Sequence, residues 1–246
     1  MDEINKFKQE VESNIRNLGG QKKMKELSLQ WITESVRHKY SYNFTWLGRP
    51  IIQYPQDVIA IQEIIHEVDP DVIVETGVAH GGSIIFSASM LHLMGKKDSF
   101  VIGVDIDIRK HNRQEIEKSR FFDRIKLIEG SSVDPSVVDQ VSKLVGSKKC
   151  LLILDSNHTH DHVLKELNLY EGLVKQGSYI IVLDTFVEDL PEDVQSSDRP
   201  WGRGNNPKTA VFEFMKANPR FEISKKIEDK IQISVAYSGY LRCVKD

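Results

Sequence analysis

The chain has 246 residues with 33 basic and 36 acidic side chains, a net charge of −3, and 40% hydrophobic content. That balance, with a pI near 6.3, excludes broad electrostatic attachment to nucleic acid or to an anionic membrane. Two distant cysteines, Cys150 and Cys243, cannot make a disulfide framework or a zinc knuckle and are expected as reduced core thiols of a cytoplasmic protein.

The N-terminus, MDEINKFKQEVESN, is charged and shows no apolar signal-peptide core. Residues 1–38 place Ile4, Phe7, Val11 and Ile15, then Leu27, Trp31, Ile32 and Val36, at helical spacing around Gly19-Gly20. Two helices are expected. The aromatic-rich stretch YSYNFTWLGRPIIQYPQ (40–56) reads as either a lid or a packed connector. Residues 1–56 are therefore taken as an N-terminal helical extension and connector ahead of one large domain, 57–246.

From 57 onward helices and strands alternate. A helix over 57–68 ends at Asp69-Pro70, and DVIVETG then reads as a buried strand. Thr76 to Gly95 contains no Asp, Glu, Lys or Arg, a length that suggests a membrane span. Its two histidines, four glycines and three serines argue instead for a loop followed by a buried helix over 82–94. Strand FVIGVDID (100–107), helix 109–118, strand RIKLIEG (124–130) and helix 134–145 follow. Strand CLLILD (150–155), helix 160–175 and strand SYIIVLD (178–184) complete the series. Short β-branched strands separated by helices specify a doubly wound, mostly parallel α/β sheet. After a Pro/Gly-rich loop (191–207) and helix 208–217, FEISKKIE and IQISVAYSGYLRCV are expected as an antiparallel C-terminal hairpin with a short connector at the sheet edge.

In such a sheet ligands bind at the carboxyl ends of the strands. The first parallel strand ends VETGVAHGGS, where Gly77, Gly81 and Gly82 permit a tight turn and close backbone approach ahead of a helix N-terminus. The spacing departs from the dinucleotide pattern G-x-G-x-x-G. The second strand ends at Asp105, which can accept two hydrogen bonds from ribose hydroxyls, with Asp107 as a substitute on the same face. The third ends EGSSVD, where Ser131 and Ser132 can meet an adenine edge. Together these strand ends favour a nucleoside-containing cofactor. The fourth and fifth strands both end in aspartate, Asp155 and Asp184. These two carboxylates can converge on Mg²⁺ or Ca²⁺, or each can cap a helix.

The cluster HTHDH (158–162) is similar to the H-x-H-x-D-H signature of metallo-β-lactamase-like hydrolases but is one residue short. All eight histidines lie at or before position 162, so none remains to complete a zinc site downstream.

The set Glu75, Gly77, Gly81, Ser83, Asp105, Gly130-Ser131, Asp155 and Asp184-Thr185 resembles the class I S-adenosylmethionine methyltransferases, with spacing closest to the metal-dependent catechol type. The stretches HKYSYNFTWLGRPIIQYPQD, VETGVAHGGSIIFSASML, LILDSNHTHDHVLKEL and RPWGRGNNPKTAV further resemble the cephalosporin hydroxylase family, which includes rhamnosyl O-methyltransferase-like proteins. The similarity runs over roughly residues 38–242. It implies S-adenosylmethionine held by Glu75, Gly77, Gly81, Ser83, Asp105, Ser131 and Asp155, and Mg²⁺ held by Asp155, Asp184 and Thr185. His158 and Asp155 would be catalytic, His158 as the base. The catechol-type enzymes have Asn where Thr185 stands and Lys where His158 stands.

The resulting expectation is a Mg²⁺-dependent O-methyltransferase acting on a sugar or other polyhydroxylated small molecule. The alternatives are a non-haem iron hydroxylase, with ligands drawn from HTHDH, and a non-catalytic cofactor-binding subunit of a partner enzyme. Loop 196–207, with Trp201 and Arg203, reads as a lid against the acceptor or a solvated connector. The helical extension, with Trp46 and Tyr54 in the connector, leads us to expect a homo-oligomer, an inference partly by resemblance.

Overall fold

The computed structural model describes residues 2–195 and 198–246. Asp2 accepts the Ile4 amide (2.7 Å) to start α1 (Glu3–Gly19), and α2 (Lys22–Arg37) follows the glycine break. The connector is packed. Trp31, Tyr40, Phe44 and Tyr54 meet mostly edge to face. Two short strands, β1 (Thr45–Trp46) and β2 (Arg49–Pro50), pair antiparallel through Leu47 and Gly48, both at positive φ. That geometry is what a tight hairpin turn requires.

Pro55 opens α3 (Pro55–Val68), and Asp69 in the left-handed region closes it. Then come β3 (Val72–Thr76), α4 (Gly82–Leu93), β4 (Phe100–Asp105), α5 (Lys110–Glu117) and β5 (Ile125–Glu129). Asp134 caps α6 (Pro135–Val145), followed by β6 (Cys150–Leu154), α7 (His160–Tyr170) and β7 (Tyr179–Val182). Asn206 and Thr209 form a reciprocal cap on α8 (Pro207–Ala217). The chain ends with β8 (Phe221–Ile223), α9 (Lys225–Ile231) and β9 (Tyr240–Cys243).

The large sheet has the order β5-β4-β3-β6-β7-β9-β8, parallel from β5 to β7 and antiparallel at β9 and β8. Alternation along the strands separates two cores. Ile73, Val101, Leu151, Ile153 and Ile181 pack with α3 and α4 on one face. Val72, Val74, Ile102, Leu152 and Ile180 pack with α6, α7 and α8 on the other. Because both faces are covered, the central strands β6 and β7 are continuously apolar. The uncharged stretch is the glycine turn and α4, whose Ile84, Ile85, Phe86, Ala88 and Leu91 are buried. Among the described residues no helix is long and apolar enough to cross a membrane.

The C-terminal expectation needs correction. β8 and β9 do pair antiparallel at the edge, Phe221 opposite Cys243, but no short connector joins them. Residues expected to extend the first strand coil into α9, because Ile227 and Ile231 repeat at four, the helical interval, and both pack on the core. Residues 232–239 then loop back to Gly239. A Cβ there would fall 2.0 Å from the Val182 carbonyl oxygen.

Candidate active site

The chain leaves β3 for β4 and β5 on one side, then crosses to β6 and β7 on the other. The crevice of a doubly wound sheet opens at that reversal, beyond the strand carboxyl ends. A cleft of about 770 Å³ lies there, lined among others by Gly77, Asp105, Ser131, Asp155, His158 and Asp184. Thus residues from five successive strand ends share one space.

The glycine turn is shaped by close backbone packing. Gly77 has φ +92°, and a Cβ on it would lie 2.0 Å from the Asp155 carbonyl oxygen. Only glycine lets the ends of β3 and β6 approach in this way. Gly81, at φ +83°, precedes α4, where a Cβ would strike Ile116 at 2.4 Å. Asp105 ties the turn down: one carboxylate oxygen accepts the amides of Val78 (2.8 Å) and Ala79 (3.2 Å), the other that of Asp107 (3.0 Å). Asp107 itself is exposed. Two residues with no signal in the sequence reading hold the turn from behind. Asn112 donates to the Ala79 carbonyl (2.9 Å), and Arg49 donates to the His80 carbonyl (2.6 Å) and to the Asn112 side chain (3.1 Å). They secure Ala79 at φ +44°, a costly backbone region for a residue with a Cβ.

Glu75 lies beneath the turn, 1% exposed. Ser83 donates its hydroxyl to one carboxyl oxygen of Glu75, while the other oxygen is buried without a partner. Burial raises the Glu75 carboxyl to about 7, against the lowering effect of the Ser83 hydrogen bond. The protonated form is therefore the one the fold favours. Its contribution to stability is complete below the unfolded value of 4.5 and is lost as pH rises through about 7. Glu75→Gln should accordingly stabilise the ligand-free protein at pH 8, by on the order of 3 kcal/mol at most, with the gain fading by pH 5. Urea unfolding at the two pH values reads this directly, and an equal effect at both would reject the assignment.

At the other side of the cleft, ligand atoms of Asp155, His158 and Asp184 all lie within 4.8 Å of one another. Among the described residues this is the one such grouping of three His, Cys, Asp or Glu side chains. Burial, then the charges of Asp184, Glu75 and Glu166, hold the Asp155 carboxyl well above the usual carboxylate range. Asp184 sits at φ +55° and its side chain caps nothing, so helix capping does not account for it. The His158 ring, Nε2 3.5 Å from the Asp184 carboxylate, packs edge-on against Trp201 at 4.8 Å. Thr185 is fully buried and donates its hydroxyl to the Val235 carbonyl at 3.3 Å. The structure thus brings His158, and not the Thr185 hydroxyl, to the two carboxylates.

The HTHDH cluster splits three ways. His160 pairs with Thr209 (2.8 Å) and Glu213 (3.3 Å) on α8. His162 meets Ser132 (3.0 Å), Ser156 (3.3 Å) and the buried Glu166 (3.6 Å), and Asp161 is exposed. Neither a zinc centre nor a two-histidine iron set assembles from it. Of the expected lid, positions 196 and 197 lie outside the described residues. Trp201 lines the cleft together with Arg199, whereas Arg203 is exposed and its amide is bound by Gln195 (2.9 Å). The connector walls the same space with Gln53 and Tyr54. Ser131 also lines it.

Fold and site define a doubly wound α/β protein of the Rossmann-like methyltransferase type, with a glycine turn and a carboxylate pair facing one cleft. Residues 38–244 match the family described as rhamnosyl O-methyltransferase/CmcI, and the chain belongs to that family. The rhamnosyl O-methyltransferases of Mycobacterium tuberculosis and Mycobacterium leprae are each 30% identical to it over 162 residues, 63% of this chain. The chain spans 64% of the length of the first and 68% of the second. A CmcI apo-structure superposes with a TM-score of 0.58 at 20% identity, covering 83% of this chain and 78% of that one. CmcI with Mg and SAM gives 0.57 at 20% identity, over 82% and 77% of the two chains. An O-methyltransferase from Bacillus cereus in complex with SAH gives 0.52 at 17% identity over 92% of each. These likenesses establish the fold.

Proposed function

We propose that this chain is an S-adenosylmethionine-dependent O-methyltransferase that uses Mg²⁺ and methylates a hydroxyl of a sugar or another polyhydroxylated small molecule. The observation that carries this reading is the meeting of Asp155, Asp184 and His158 with the glycine turn in a single cleft. Family membership supports it, as do the names of the mycobacterial relatives. The cofactor fits the residues present. A glycine that no Cβ could replace shapes the turn, an orphaned Glu75 oxygen lies below it, and Asp105 and Ser131 line the far wall. A divalent cation fits as well, because Asp155 is crowded by acidic neighbours.

When bound, the cofactor supplies an electrophilic methyl group, and the cation supplies positive charge that lowers the pKa of a neighbouring hydroxyl. The chain's own task is alignment, because an in-line displacement needs nucleophile, methyl carbon and sulfur held in a row. Gly77, Gly81, Ser83 and Glu75 set the turn, Asp105 and Ser131 would receive the nucleoside, and Asp155 and Asp184 would hold Mg²⁺. The His158 imidazole would stay free, since a hard cation prefers carboxylate oxygen. His158 then takes the acceptor's proton at Nε2, and Asp184 at 3.5 Å stabilises the imidazolium. Trp201 packs against the His158 ring and holds its position beside Asp184.

Isothermal titration tests the cofactor reading: S-adenosylmethionine should bind and NAD should not. Asp105→Ala should weaken binding by about 1.5–3 kcal/mol, the range for hydrogen bonds to a charged group. Tight NAD binding with no response to S-adenosylmethionine would refute it. We also propose a cytoplasmic homo-oligomer. Ile4 and Phe7 on α1 and Leu27 and Trp31 on α2 are exposed apolar side chains, of the kind a second copy covers. Light scattering should show more than one copy at micromolar concentration, and a monomer would contradict this.

A further inference from the structure

We propose that the methyl acceptor carries an oxyanion, a phosphate or a carboxylate, apart from its reacting hydroxyl, and that Lys39 and Arg199 hold it at the rim of the cleft. The proposal rests on the methyl-transfer reading only in calling this ligand the acceptor.

Lys39 and Arg199 are the two Lys or Arg side chains lining the cleft among the described residues. Both are exposed, and neither forms an ion pair among the described residues. Neighbouring cations are already engaged. Arg37 pairs with Asp193 (2.6 Å), Lys208 pairs with Asp189 (2.6 Å), and Arg49 is bound to the His80 carbonyl. Lys39 follows the end of α2 at φ +50° and ψ +41°, a left-handed conformation costly for a residue with a Cβ. Arg199 is not a loose surface arginine. Its guanidinium lies over the Trp201 ring, 5.0 Å from the centroid, and Trp201 in turn packs on His158. A cation–π contact of this kind uses the guanidinium charge and consumes none of its N–H donors, which stay available for bidentate capture of an oxyanion.

Charge in the cleft is therefore segregated. Of the lining residues, Asp105, Asp155 and Asp184 are half-buried, whereas Lys39 and Arg199 are exposed. A ligand with a hydroxyl at one end and an oxyanion at the other enters in one orientation, hydroxyl toward His158. An anion turned the other way meets the carboxylates. A rhamnosyl group carries no charge, so this preference is not contained in the relatives' names.

The test titrates the full chain, loaded with S-adenosylhomocysteine, with glucose 6-phosphate, glucuronate and glucose. EDTA is present so that no divalent cation can anchor the oxyanion. One charged sugar should bind at least tenfold more tightly than glucose, and its identity separates phosphate from carboxylate. Lys39→Gln and Arg199→Gln should each remove most of that advantage, and raised salt should weaken it, while S-adenosylhomocysteine affinity stays unchanged. Equal binding of all three sugars, no binding of either charged sugar at millimolar concentration, or a preference that survives in the double variant would overturn the proposal. If S-adenosylhomocysteine itself does not bind, the methyl-transfer reading fails. The same sugar titrations on the unloaded chain then still decide the oxyanion site.

Discussion

Asp155→Asn is expected to strip the cleft of its divalent cation and to end turnover while leaving the fold intact. Its carboxylate and that of Asp184, within 4.8 Å of each other, are the pair that would hold the cation. Asparagine keeps the shape but removes the charge that a hard cation requires. Affinity for Mn²⁺, read by electron paramagnetic resonance, should fall by about a hundredfold or more, since loss of even an outer partner of a metal ligand costs about 10–100-fold. Stability of the ligand-free protein should not fall, because burial and neighbouring acids already disfavour the charged carboxyl. Metal affinity of the unaltered protein should itself weaken toward acid pH, as protons compete for that raised carboxyl. His158→Ala separates base from ligand: Mn²⁺ affinity should hold, and turnover should fall by about 10²–10⁴, the usual range for a general base. Undiminished Mn²⁺ binding by Asp155→Asn would remove the carboxylate pair from the mechanism.

Gly77→Ala should damage both fold and cofactor binding. The added Cβ would lie 2.0 Å from the Asp155 carbonyl oxygen and 2.7 Å from its carbon, at φ +92°. The obstacle is backbone rather than a side chain that can swing away, so the ends of β3 and β6 must separate. Positive φ alone costs about 1 kcal/mol, and the displacement should bring the total to about 3–5 kcal/mol. Gly95→Ala is the control. That residue has φ +74° with nothing within 4 Å, so it carries the conformational cost without the collision. Denaturant unfolding of the two variants checks the difference. Equal losses would mean that Gly77 is there only for its φ.

The parallel strands were readable because both faces are buried, which makes CLLIL and YIIV uninterrupted apolar runs and leaves VIVET apolar up to Glu75. Their ends were readable too, since the topology alone brings residues 77, 105, 131, 155 and 184 to one edge. What escaped the sequence was set by contacts distant along the chain. Arg49 and Asn112 support the turn from the connector and from α5, and no local pattern marks either. Three histidines within five residues read as one cluster, but the start of α7 points them toward Asp184, α8 and Glu166. Thr185 follows Asp184 in sequence, yet its hydroxyl turns to Val235. The C-terminal misreading came from judging Ile227 and Ile231 as strand residues when their interval of four is helical.

The most direct measurement is a crystal structure of the chain grown with S-adenosylhomocysteine and Mn²⁺, with anomalous data collected for the metal. An anomalous peak between Asp155 and Asp184, with the adenosyl group against Asp105 and Ser131 above the glycine turn, is the predicted result. A nucleoside bound outside the cleft, or manganese bound away from those two carboxylates, would contradict the account.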